Sequence, residues 1–158
     1  MNTIDIAQHL IMHDKSRFKE VSMRTSKIGG QIVMDDSKFE GILNMNSVAV
    51  GQSLFMRDNA VFQEVELTNA KVQDQINMIG SAFKSKLNMN GIEVGRHLFM
   101  RGESSFEMVD LGSAKIGGQL DLSGSTFNGE LSMNQLKVSN SLLMRDNSSF
   151  EEIDIVNS

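Results

Sequence analysis

The stretch Leu98–Ser141, LFMRGESSFEMVDLGSAKIGGQLDLSGSTFNGELSMNQLKVSNS, is the unit from which the chain is built. Residues 54–97 and 10–53 align beneath it without a gap, residues 142–158 begin a further copy, and residues 1–9 are part of one. Met12, Met56, Met100 and Met144 share one repeat position, and Phe18, Phe62, Phe106 and Phe150 share another. Self-similarity at a fixed step marks a repeat architecture, in which each unit buries its apolar face only against its neighbours. Residues 1–158 therefore read as one repeat domain with a 44-residue superrepeat.

The unit divides again. Pairs of the form apolar-x-apolar recur every 11 residues, from Leu10/Met12 and Val21/Met23 to Leu142/Met144 and Ile153/Ile155. A third apolar residue follows each pair five or six positions later, with Phe alternating against Ile or Val, as in Phe62, Val72, Phe83 and Val94. A long helix does not fit. At about 100° per residue the two members of each pair fall on opposite sides of it, and Gly29-Gly30 and Gly117-Gly118 would break it. Residues i and i+2 share a face in a strand. Short strands with polar corners, at two elevens per coil, predict an all-β chain. Its expected form is a right-handed parallel β-helix, a quadrilateral β-solenoid of about seven coils and roughly 34 Å at the strand spacing.

Segments such as Ala114–Asn134 resemble the pentapeptide-repeat family, in which a small residue, any residue, then Leu or Phe recur on a five-residue step. Ser125-Thr126-Phe127 and Ala114-Lys115-Ile116 match that core, although steps of five mix with steps of six here. The resemblance implies a right-handed quadrilateral β-helix. It also implies the uses of such helices, as substrate-binding modules of bacterial effectors and as DNA-mimicking binders.

Composition narrows the function. The 20 acidic residues outnumber 15 basic ones, a net charge of -5, and no Lys/Arg-rich run suggests direct nucleic-acid contact. There is no Cys, hence no disulfide or thiol chemistry. No apolar run approaches the roughly 20 residues of a membrane helix. The expectation is a bacterial cytoplasmic protein that contacts neither membrane nor nucleic acid. Met1-Asn2 falls at the phase of Met45-Asn46 and Ser158 falls inside a repeat. Solenoids need covered ends, so a piece of a longer array is expected, with the uncapped ends as one route to association.

Chemistry is sparse. His9 and His97 are equivalent positions four coils apart, roughly 19 Å, too far to share a metal. His13 has no second ligand nearby in the pattern. Asp35-Asp36 are neighbours whose carboxylates would point apart, unlike a catalytic pair converging on one site. The IGGQ segments at 28–31 and 116–119 lack the Gly-Lys-Ser/Thr or helix of a phosphate loop, and are expected to turn corners with φ > 0. No catalytic residue, cofactor or metal is expected.

The residue inside each apolar pair must point outward. One such column reads Ser22, Asn44, Glu66, Asn88, Asp110, Ser132, Asp154 and is wholly polar. The other reads Ile11, Val33, Phe55, Asn77, Phe99, Asp121, Leu143, with Arg57, Arg101 and Arg145 beside it. An apolar strip edged by Arg has the composition of a protein interface. The expected function is a non-catalytic scaffold whose strip of Ile11, Val33, Phe55, Phe99, Leu143, Arg57, Arg101 and Arg145 holds a protein partner or a second copy. The alternative is an acidic, DNA-mimic-type binder of a DNA enzyme.

Overall fold

The computed structural model describes residues 3–156; the phase matches at Met1-Asn2 and Ser158 lie outside them. Short parallel strands stack in about seven coils, and no helix occurs among the described residues. Sheet 1 consists of Asp5–Ile6, Lys27–Ile28, Ala49–Val50, Lys71–Val72, Glu93–Val94, Lys115–Ile116 and Lys137–Val138. Sheet 2 consists of Leu10–Ile11, Ile32–Val33, Leu54–Phe55, Ile76–Asn77, Leu98–Phe99, Leu120–Asp121 and Leu142–Leu143. Sheet 3 holds Arg17–Phe18 and Val21–Ser22, both paired to Lys38–Asn44, then Val61–Glu66, Ala82–Asn88, Ser105–Asp110, Thr126–Ser132 and Ser149–Asp154.

The expected all-β solenoid of parallel strands is the fold observed. All four inward stations exist, but two of them, the Phe station and the apolar pair that follows it, lie on one continuous strand of sheet 3. Three hydrogen-bonded sheets therefore carry four stations. A register shift separates the two stations within sheet 3, between Phe62 and Val65 and at the equivalent places above and below it.

That shift accounts for the 44-residue period. Sheets 1 and 2 and the second half of sheet 3 step by 22 residues, as in Val50↔Val72, Leu54↔Ile76 and Val65↔Leu87. The Phe station alone alternates, stepping 23 residues from Phe39 to Phe62 and 21 from Phe62 to Phe83. In one type of coil a seven-residue strand carries an extra residue between its two stations, Gly41, Ser85 or Gly129, as in a β-bulge. The coils between have six-residue strands or, at the start, two short ones, and spend the spare residue at the preceding corner. That corner then has two positive-φ residues, Asp58-Asn59, Gly102-Glu103 or Asp146-Asn147, where its neighbours have one, Asp36, Gly80 or Gly124. Asp, Asn and Gly are the residues that tolerate this region. Two coils with complementary slack form one repeat.

The core is the interior of the stack. Apolar-pair residues of the middle coils are fully buried, whereas Leu142, Met144, Ile153 and Ile155 of the last coil are exposed. Seven Phe rings from Phe18 to Phe150 stack in a ladder with centroids 4.9–5.1 Å apart, within the favourable range for offset rings. The small residue before each Phe leaves room at the corner. Where it is Ser, its hydroxyl can donate to a carbonyl of the coil below, as Ser37 does to Met12 and Ser104 to Met78 at 2.8 Å.

The IGGQ segments also differ from expectation. Gly29, Gly30, Gly117 and Gly118 are not at positive φ; they are places of close approach. A Cβ on Gly29 would stand 2.3 Å from the Ala7 carbonyl oxygen, and one on Gly30 2.6 Å from His9 Nδ1. The room left by Gly30 lets His9 Nδ1 accept the Gln31 N–H at 2.9 Å, and His97 Nδ1 likewise accepts the Gln119 N–H at 3.2 Å. The two histidines are thus coil-to-coil hydrogen-bond acceptors. The sequence held a signal for this, since each IGGQ follows its His by one coil.

Candidate interaction surface

The outward column of sheet 2 is a physical ladder: Ile11↔Val33↔Phe55↔Asn77↔Phe99↔Asp121↔Leu143 are paired in register. In the middle coils the neighbours of the outward residue along the strand, such as Leu54 and Met56 around Phe55, are fully buried, as the two-residue alternation requires. Ile11 at the first coil is 51% exposed; Val33, Phe55, Phe99 and Leu143 are half-buried.

Their cover comes from the strip itself. Two residues past each Phe, at the corner, an Arg folds back over the ring: the Arg57 guanidinium lies 4.4 Å from the Phe55 centroid and that of Arg101 5.1 Å from Phe99. His97 stacks on Phe99 at 5.4 Å. Cation–π contact and the apolar Arg stem both favour this arrangement.

The arginines are also tied to carboxylates of adjacent coils. Asp35 accepts from Arg57 Nε at 3.0 Å, from its terminal nitrogen at 2.7 Å and from its backbone N–H at 3.1 Å. The hydrogen bond that Arg57 donates to Asp35 raises the Arg57 pKa against the opposing effect of burial. Asp35 is therefore an anchor for Arg57 rather than half of an acid pair with Asp36. Arg101 Nε lies 3.5 Å from the Asp121 carboxylate, which is only 4% exposed although it stands on the outer column. Its other oxygen accepts the Ser123 N–H at 3.0 Å. Among the described residues Arg145 pairs with the exposed Asp146, at 3.6 Å. The expected strip residues are thus brought together on one face, with Arg57 and Arg101 engaged internally and Arg145 the most available.

The polar column lies on sheet 3, also in register from Ser22 to Asp154. Its members bond across coils: Asn88 donates to Glu66 at 3.0 Å, and Asp154 accepts at 2.7 Å from Asn134, two residues past Ser132 of the column. Among the described residues no group of three His, Asp or Glu side chains is placed to hold a metal, and no helix is long and apolar enough to cross a membrane.

With this geometry in hand the family is clear. The model of the BspA-type leucine-rich repeat region matches six copies, over residues 12–134 and 58–158. The chain belongs to the BspA-type leucine-rich repeat family. No curated protein and no solved structure matches it. The family is a repeat family, as expected, but it is not the pentapeptide repeat that the five-residue steps resemble. The 22-residue coil lies within the roughly 20–29 residues of a leucine-rich repeat. This chain builds its coil entirely from strands and corners.

Proposed function

We propose that this β-solenoid is a non-catalytic interaction module that holds a protein partner on the outward column of sheet 2. The observation that carries the reading is the placement of Phe55 and Phe99 outside the core, two coils apart and roughly 10 Å from each other, with Ile11, Val33 and Leu143 on the same ladder. Apolar side chains grouped on an outer face mark interaction sites, and aromatic residues supply most of their area. Supporting the non-catalytic part, the His and Asp residues with catalytic potential serve as ladder acceptors and Arg anchors. Arg145, the least engaged arginine, is the one suited to orient a partner carboxylate.

The test is the double variant Phe55→Ser/Phe99→Ser, compared with Asn88→Ser/Asp110→Ser on sheet 3. Both should keep the parent's β circular dichroism. The first should lose partner capture or self-association in cross-linking and light scattering, and the second should retain it. A sheet 2 variant that stays folded and binds all that the parent binds refutes the strip.

A second reading, an acidic mimic for a basic partner, is supported by the last three strands of sheet 3. They carry Glu107, Asp110, Glu130, Glu151, Glu152 and Asp154 with no Lys or Arg among them. Replacing Glu107, Glu130 and Glu151 by Lys would abolish binding on that reading and leave the strip's partner bound.

A further inference from the structure

The strip carries two copies of Phe-x-Arg on the 44-residue step, Phe55 with Arg57 and Phe99 with Arg101, and their arginines are held from opposite sides. Arg57 is drawn toward the preceding coil, where Asp35 accepts from its Nε at 3.0 Å and from its terminal nitrogen at 2.7 Å. Asp58, at the same corner, lies 3.7 Å from Nε. In the next copy these two carboxylate positions are Ile79 and Gly102. Arg101 turns instead to Asp121 of the following coil, at 3.5 Å, longer than a good N–H···O bond. The position of Asp121 is taken beside Arg57 by the uncharged Asn77.

The two rings are covered accordingly. The Arg57 guanidinium lies 4.4 Å from the Phe55 centroid and its side chain is 35% exposed; Arg101 lies 5.1 Å from Phe99 and is 47% exposed. A cation over an aromatic face is attracted by the ring, and two charge-assisted hydrogen bonds fix Arg57 in that place. The face of Phe55 beneath Arg57 is closed to a partner until those bonds break. Arg101 leaves Phe99 by giving up one longer contact. His97, whose equivalent beside Phe55 is Ser53, stacks on Phe99 and widens the aromatic surface there.

Resting on the reading of sheet 2 as the interaction surface, we propose that the Asp35–Arg57 pair is an autoinhibitory clasp over Phe55. Phe99 is the anchor open to a partner, and Phe55 joins the interface only when Arg57 is released from Asp35. Asp35 thereby sets how much of the strip is available, although it lies outside the outward column itself. The chain's other copies show what the corner accepts in place of Asp35, Ile79 in one and Ser123 in the next.

The probe is the apolar dye bis-ANS, whose emission rises on exposed apolar surface. Asp35→Ser removes the grip and Arg57→Ala removes the cover; each should raise emission about twofold over the parent. Adding Phe55→Ser to either should cancel the gain. Ile79→Asp/Asp121→Asn transfers the clasp to Arg101 and should lower emission, whereas Ile79→Ser/Asp121→Asn should not. Emission unchanged in Arg57→Ala, or a gain that survives Phe55→Ser, would overturn the clasp. A fall equal in the Asp and Ser variants of Ile79 would overturn it too. Failure of the strip reading shows separately, as partner capture or self-association untouched by Phe55→Ser/Phe99→Ser.

Discussion

Phe83 and Phe99 lie less than one coil apart along the chain, recur on the same 44-residue step, and have opposite roles. Phe83 is 2% exposed and stacked between Phe62 and Phe106, with centroids 5.0 and 5.1 Å away. Phe99 stands on the outer face of sheet 2, with His97 stacked on its ring and the Arg101 guanidinium over it. The ladder neighbours of Phe83 are all Phe; those of Phe99 are Asn77 and Asp121. Inside the stack a side chain must match the coil above and below. Outside it the column is free to vary, and this freedom is what lets such a surface acquire a partner.

The sharpest break of that contrast is Phe83→Ala, which should cost about 3–5 kcal/mol, because the stacked rings on either side cannot close the cavity. Chemical denaturation reads it directly, and a loss below about 1 kcal/mol would mean that Phe83 is not core. Gly95→Ala comes next. Its Cβ would lie 2.0 Å from the Gln73 carbonyl oxygen, so the coils must separate locally, at a cost of about 1–3 kcal/mol. Phe55→Ser and Phe99→Ser each remove a cation–π contact and part of a half-buried ring. About 1 kcal/mol or less apiece is expected, with a cooperative transition retained.

The smallest effect concerns Glu93 on sheet 1. Hydrogen bonds from Lys71 and then Lys115, with the charges of both, hold its pKa below the ordinary 4.5. A depressed carboxylate contributes stability that is present above its unfolded pKa and lost as pH falls through the lower folded value. Glu93→Gln should therefore leave the melting temperature at neutral pH nearly unchanged and flatten the acid limb below pH 4.5 slightly. A marked loss at pH 7 would show that the Lys71–Glu93–Lys115 bridge stabilises the stack far more than a solvent-exposed ion pair should.

Much of the molecule was legible in the chain. The 11-residue recurrence of Leu10/Met12, Val21/Met23 and their successors is a local property, because successive side chains in a strand alternate faces whatever the strand pairs with. It was therefore enough to determine the strands, the coil, the buried ladder from Phe18 to Phe150, and the outward placing of Phe55 and Phe99. The family was not legible in the same way. Steps of five and six residues resemble a pentapeptide repeat, while the whole 22-residue coil is that of a BspA-type leucine-rich repeat.

Tertiary structure decided what depends on register between coils. The register shift between the two stations of sheet 3 follows from the extra residue at Gly41, Ser85 and Gly129, compensated by doubled left-handed corners such as Asp58-Asn59. The pairing of Arg57 with Asp35 but Arg101 with Asp121, of His9 with Gln31, and of Glu93 with two lysines likewise joins residues about one coil apart. A one-residue change of register would replace every one of these partners while leaving the apolar pattern of each strand intact. The physical reason is one of range. Which face a side chain occupies is settled within a few residues, whereas which neighbour it meets is settled only when the next coil closes above it.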